Sequence, residues 1–358
     1  MSSIKLKHSG GNGVSITAPD TNPSSDRTVK LPSTDVDGVI TTKDSNNSLQ
    51  SVSGLSGSAF SNRNLFINGG MLVWQRNSSS TTDGGYCADR FWGAGSGITY
   101  ARSTDAPAGF KYSAKLTHSS SDLAIGQPIE LCATGSSQPM VAGNTVTVSF
   151  YGKVDSGTEA VSVLLRFRDS KFSSSNQVAF TSTDSNPTLT TSWQRFTKTF
   201  TIPTVGATNV MAGFEVAQIG KTAYFTGFQI ELGSEATDFE HRTFHDELAK
   251  CQRYYHQSYD YGTYAGANQD NGCYNVNAIQ GAFIRIKGVT PCTMRARPSV
   301  TIYSTTGAAN KWRNRDDNVD VNAGTTSIGM SGAGLQMEGT GAPTGKFMSA
   351  HAVQDAEF

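Results

Sequence analysis

Between Val146 and Leu232 the chain repeats one pattern: apolar and polar residues in strict alternation, broken at short intervals by turn formers. That pattern limits the fold more than any other feature of the sequence. Val146, Val148 and Phe150 alternate with Thr147, Ser149 and Tyr151, and Val161, Val163, Leu165 and Phe167 alternate with Ser162, Arg166 and Arg168. Phe196, Phe200 and Ile202 interleave with Thr197, Thr199 and Thr201, Val210 to Val216 follow the same period, and a last run passes through Tyr224, Phe228, Ile230 and Leu232. Breaks fall at Gly143-Asn144, Asp155 to Gly157, Thr183 to Pro187 and Val205-Gly206. A period of two sends successive side chains to opposite faces, so each run reads as a strand with one buried and one wet face. Such strands predict an antiparallel two-sheet sandwich.

Composition agrees. Charged residues make up 16% of the 358 residues, where about 25% is usual, and 37 Gly with abundant Ser, Thr and Asn suit short strands joined by turns. That length predicts two or three domains. The 29 basic and 29 acidic residues cancel, so the basic footprint of a phosphate-backbone binder is missing and no nucleic-acid partner is expected. No apolar run approaches the roughly 20 residues of a membrane span, and no apolar signal core follows Met1, so a soluble chain without membrane insertion is expected. Cys87, Cys132, Cys251, Cys273 and Cys292 are odd in number and widely spaced, which reads as reduced and mostly buried thiols.

Residues 1–63 hold only short apolar pieces (Ile4, Leu6, Val14, Ile16, Val29, Leu31, Val36, Val39 and Ile40) and cannot close a core alone; order there calls for a partner. Thr41 to Ser61 reads as a linker. Residues 64–240 are assigned to the sandwich and 241–257 to a connecting helix. Its N-cap is Thr243, with Asp246 and Glu247 in the first turn, and Phe244, Leu248, Cys251 and Tyr255 form one stripe reaching to about His256. Residues 258–358 read as a C-terminal β domain, with strands at Phe283 to Ile286 and Val300 to Tyr303 and a weak alternation from Met348 that could close a sheet.

Catalytic signals are thin. Asp83 and Asp89, and Glu231, Glu235, Asp238 and Glu240, bring acids near one another, but carboxylates at turns and strand ends are usually solvated. His241 and His245 lie four apart, yet the cap at Thr243 separates them, so a shared metal face is lost. No P-loop, G-x-S-x-G or dinucleotide motif occurs, and no cofactor, metal or catalytic residue is expected. Aromatic residues say more, because sugars stack their apolar faces on Trp and Tyr. Trp74-Gln75-Arg76 with Tyr86 and Asp89 to Trp92 reads mainly as core. Tyr259, Tyr261 and Tyr264, interleaved with small polar residues, read either as a binding loop or as a strand at a subunit interface.

The string Asn64-Leu-Phe-Ile-Asn-Gly-Gly-Met-Leu-Val-Trp-Gln-Arg76, then Tyr86-Cys-Ala-Asp-Arg-Phe-Trp92, resembles the start of a domain found in bacteriophage tail-fibre and related virion proteins. Thr191 to Phe196, Gly227 to Gly233, Ala236 to Glu240 and Glu247 to Tyr255 follow in the order of that domain's end. The resemblance covers about half of the chain, and it implies a jelly roll like those of carbohydrate-binding modules, a virion location and a homotrimer. Ile4 to Ile16 with Asp26 to Pro32 is similar to the leader of fibres from phages of aquatic bacteria, particularly cyanophages. By that resemblance Ile4, Leu6, Val14, Ile16, Val29 and Leu31 anchor the chain to other virion proteins.

The fold expected is therefore mainly β: a jelly-roll sandwich with an extended N-terminal anchor, one short helix and a C-terminal β tip. The function expected is a non-catalytic tail fibre that meets a host-surface glycan or protein through its distal domains, with Tyr259, Tyr261, Tyr264 and Trp312 as receptor contacts. A polysaccharide-depolymerising tailspike is the enzymatic rival, disfavoured by the missing β-helix repeat; a capsid decoration or tail adaptor is the structural one.

Overall fold

The alternating runs become strands of two antiparallel sheets facing one another across a single core. A computed structural model describes residues 3–7, 13–17, 63–118, 123–130, 143–168, 178–181, 186–202, 211–278, 285–337 and 345–357. The chain divides into two compact units, Met1–Ser56 and Gly57–Phe358.

In the second unit, the front sheet runs in the order Gln194–Thr201, Thr145–Val154, Ala223–Leu232, Ser113–Thr117, Thr99–Ser103 and Ser79–Ser80. The back sheet runs Val178–Thr181, Ser162–Arg168, Met211–Ile219, Leu123–Glu130, Trp92–Ala94 and Gly85–Tyr86. Strands near in sequence repeatedly switch sheets, the connectivity of a jelly roll. Val146, Val148, Phe150, Val163, Leu165, Val216, Phe228 and Ile230 are all buried between the sheets, as the alternation predicts.

One run breaks its own period. Tyr224, Phe228, Ile230 and Leu232 read as one face, but the pairing of Ala223–Leu232 with Thr145–Val154 shifts register between Thr226 and Gln229. Gly227 sits in that bulge at φ 65°, a region where a side chain is strained. A Cβ there would also stand 2.8 Å from the rings of Phe110 and Tyr151. The extra residue reverses the parity, so Phe225 joins Phe228 and Ile230 in the core while Tyr224 turns outward. Leu232, at the strand's last position, is 55% exposed.

The Asn-Leu-Phe-Ile-Asn-Gly stretch earns its residue types locally. Buried Asn64 accepts the Phe66 and Ile230 N–H groups and donates to the Phe228 carbonyl, stitching the segment to a strand it does not formally join. Asn68, at φ 62°, accepts the N–H groups of Leu72 and Val73 and donates to the carbonyls of Val73 and Asp89. At Gly69 an added Cβ would lie 2.0 Å from the Phe228 carbonyl oxygen, so only glycine permits the approach.

The helix spans Phe244–Gln252, with Thr243 as N-cap accepting the Asp246 N–H at 3.2 Å. It stops before His256, because Tyr255–Gln257 is already a strand paired with Phe347–Asp355. Its buried side holds Cys251 and, unexpectedly, Glu247, whose carboxylate accepts the Asn68 N–H at 2.7 Å and pairs with Arg242 at 3.3 Å. Of the expected stripe, Cys251 is buried, Phe244 and Leu248 are half-buried, and Tyr255 lies in the following strand, so the helix docks as much through a satisfied acid as through apolar side chains.

Beyond it lies an eight-stranded antiparallel sheet. Phe347–Asp355 is its hub, pairing with Tyr255–Gln257, Tyr274–Asn277, Ser299–Ser304 and Lys311–Asn314. Its alternation is weak because Met348 through Gln354 are buried without interruption, covered on both faces. Of the strand expected over Phe283 to Ile286, Arg285–Val289 is a strand and the earlier residues lie outside the described ones.

In the first unit, Ser3–Lys7 pairs antiparallel with Gly13–Thr17, with Ile4 opposite Ile16 and Leu6 opposite Val14. Val29, Leu31 and the stretch read as a linker lie outside the described residues.

Candidate functional site

Two of the residues expected to touch a receptor are core residues. Trp312 is 0% exposed, enclosed with Ile302, Met348, Ala350 and Ala352, and Tyr259 is 4% exposed with its ring stacked 3.7 Å from the His351 ring. Neither can offer a ring face to a ligand; the small polar residues around them gave no sign of the hub strand that covers them. Tyr261 is 43% exposed, but its hydroxyl accepts the Trp74 N–H at 3.1 Å and its ring meets Phe244 edge-on at 4.8 Å. Tyr264 is half-buried. Residues 258–273 form turns and not an edge strand, and Tyr261 pins that loop to the sandwich.

The motif residues converge elsewhere, where the sandwich meets the distal sheet. Arg76 pairs with Asp355 at 2.6 Å and lies 3.9 Å over the Tyr255 ring. Arg90, 1% exposed and held at φ 72°, pairs with Glu357 and lies 3.5 Å over Tyr254. Between them Asp89 receives the Gln75 backbone N–H at 2.6 Å and side-chain amide at 3.1 Å. Each acid here has a basic or amide partner, so these residues tie the sandwich to the distal sheet. Trp74 and Trp92 are buried, as expected of core residues. Cys87 and Cys251 are buried free thiols, and burial pushes Cys87 up to about 12; Cys132 lies outside the described residues.

Burial also pushes the Asp89 carboxyl up to about 7, against the lowering effects of Arg76 and of the Gln75 hydrogen bonds. An acid whose folded value lies above its unfolded value favours folding at low pH, and that advantage fades as pH rises through 7. Asp89→Asn is therefore expected to gain on the parent protein between pH 4 and 7 and to hold level above, by no more than about 4 kcal/mol, read from urea melts at each pH. A constant difference across that range would show that Asp89 does not titrate.

The open chemistry lies on the outer face of the front sheet. Register sets Tyr224 opposite both Lys153 and Lys115, and Tyr151 opposite Thr226 and Arg195, while the intervening Phe150, Gly152, Phe225 and Ala114 point into the core. Half-buried Trp193 precedes Gln194–Thr201, meets Tyr224 edge-on at 6.5 Å and donates its indole N–H to Asp105 at 3.0 Å. Hydrogen bonds from Lys153 and Trp193 hold the Asp105 carboxyl below the usual carboxylate range.

From Tyr151 the aromatic strip continues to Phe110 at 5.4 Å, which contacts Phe239 at 4.9 Å and His241 at 5.2 Å. Phe110, Phe239 and His241 line a shallow cavity of about 130 Å³ with Lys111, Arg242 and Glu247. His241 is outside the helix, on this aromatic cluster, as the cap position implies. Sequence reading did not single out this strip; its signal was aromatic and basic residues at the solvent parity of neighbouring strands, which becomes a surface only once strand order is known.

No protein-family model matches the chain, and no curated protein matches it. Among solved structures it is similar to the CBM22-1 xylan-binding domain of Paenibacillus barcinonensis Xyn10C, at 14% identity and TM-score 0.32 over 45% of this chain and 99% of that one. A CBM4 structure is similar at 18% identity and TM-score 0.32, over 46% of this chain and 98% of that one. The enzymatically active domain of bacteriophage CBA120 tailspike protein 4 is similar at 15% identity and TM-score 0.32, over 48% of this chain but 22% of that one. At these scores the matches transfer no residue role.

Proposed function

We propose that the protein is a non-catalytic glycan-binding subunit of a bacteriophage virion, a tail fibre, and that it binds through the outer face of the front sheet. The observation that carries the glycan reading is the strip itself: Tyr224 and Tyr151 on the outer face of the front sheet, continued by Trp193, Phe110 and Phe239 on the loops beside them. Aromatic rings at such positions take the apolar faces of pyranose rings. The virion reading is supported by the ordered motifs from Asn64 to Tyr255, and the leader, residues 1–63, is assigned to the particle.

The non-catalytic reading is supported by how the nearby acids are used. Asp105 is bonded to Lys153 and Trp193, and Glu240 and Glu247 both pair with Arg242, so these three acids are held in structural contacts. Three copies would multiply weak single-site binding by avidity.

A glycan array read with a reducing-end assay tests this. The full chain is expected to bind without releasing new ends, and Trp193→Ala with Tyr224→Ala is expected to lower binding at least tenfold while light scattering still reports a trimer. Turnover of the bound glycan, or undiminished binding by the double variant, would overturn the assignment.

A further inference from the structure

We infer that the glycan taken by this face is acidic, a polysaccharide bearing carboxylates. The inference rests on the glycan-binding reading above and adds the class of ligand.

The aromatic rings of the strip are not bare. Lys153 lies 5.0 Å from the Tyr224 ring and 5.5 Å from the Trp193 ring, and Lys115 lies 5.6 Å from Tyr224. Lys111, next to Phe110, lines the cavity at the end of the strip with Phe239 and His241. Arg195 stands opposite Tyr151, with one guanidinium nitrogen 3.0 Å from the Ser149 hydroxyl. Beside Lys111, Lys115, Lys153 and Arg195, the carboxylates along the strip have partners of their own: Asp105 is bonded to Lys153 and Trp193, Glu231 to Arg63 and Thr237, and Glu240 and Glu247 to Arg242. In a chain whose total charge is zero, this face concentrates positive charge on its aromatic rings.

That arrangement discriminates between sugars. A neutral pyranose must displace ammonium groups from the ring faces and can return only hydroxyl hydrogen bonds, weaker than a charge-assisted pair. A uronic acid can lay its apolar face on the ring while its carboxylate takes the displaced lysine, so the cation that obstructs one ligand recruits the other. Because these charges are exposed, the attraction weakens with salt.

An array carrying each carboxylated glycan beside its carboxyl-reduced form, with polygalacturonate and poly-glutamate as soluble probes, tests the inference on the full chain. Bound glycans are expected to be carboxylated and to lose at least tenfold in affinity on reduction. Lys111→Gln with Lys115→Gln, which leaves the Asp105, Lys153 and Trp193 contacts in place, is expected to weaken binding of the acidic form about tenfold and of the reduced form little. Equal binding of acidic and reduced glycans overturns the inference and leaves glycan binding standing. Binding of poly-glutamate as strong as polygalacturonate overturns it in favour of a general polyanion surface. Binding of no glycan at all overturns both readings.

Discussion

Glu357→Ala is expected to cost about 3 to 5 kcal/mol, because it strips the partner from a guanidinium that is 1% exposed and cannot reach water. Arg90 has nowhere to turn: its backbone is held at φ 72° and its plane rests on the Tyr254 ring. The Glu357 carboxylate also pairs with Arg76 at 3.4 Å, so one substitution takes an ion partner from both arginines that tie the sandwich to the distal sheet. Chemical denaturation of Arg90→Met, Glu357→Ala and the double variant checks this, with a coupling of about 2 kcal/mol or more expected. Additive losses would show that the pair is not a unit.

Trp312→Ala is expected to cost about 3 to 5 kcal/mol, and to act on the distal sheet first. Its indole is the largest side chain in a small buried cluster with Ile302, Met348 and three alanines, packed round by half-buried residues such as Tyr274, Val300 and Val321, so its removal leaves a void at the centre. The natural stability of a domain is only about 5 to 15 kcal/mol, so the loss is a large share of it. Limited proteolysis is expected to cut the variant beyond the helix while the sandwich resists; a protection pattern unchanged from the parent protein would refute the core assignment of Trp312.

Both expectations rest on residues whose types were plain and whose places were not. Trp312 and Tyr259 sit in polar, glycine-rich sequence, which suggested exposure. They are buried because Phe347–Asp355, more than thirty residues further on, inserts between other strands and covers them. Glu357 is similarly silent in sequence, since an acid earns a buried place only through a partner, and Arg90 is far away along the chain. The single face drawn through Tyr224 failed at one glycine, where a bulge exchanged inside for outside and so put Tyr224 on the outer aromatic strip.

Local rules were enough for the jelly-roll strands, the helix start at Thr243 and the mainly β class. Period-two burial and capping depend on neighbours within a few residues. Local rules also placed Trp74 and Trp92 in the core. Only the tertiary structure could decide that the Trp-Gln-Arg and Ala-Asp-Arg motifs tie the sandwich to the distal sheet, that two of four candidate contacts are interior, and that Trp193, Tyr224, Tyr151 and Phe110 share a surface. Those outcomes depend on strand order and on ion pairs that close across long loops, and the cost of closing such loops depends so weakly on their length that spacing along the chain carries no trace of them.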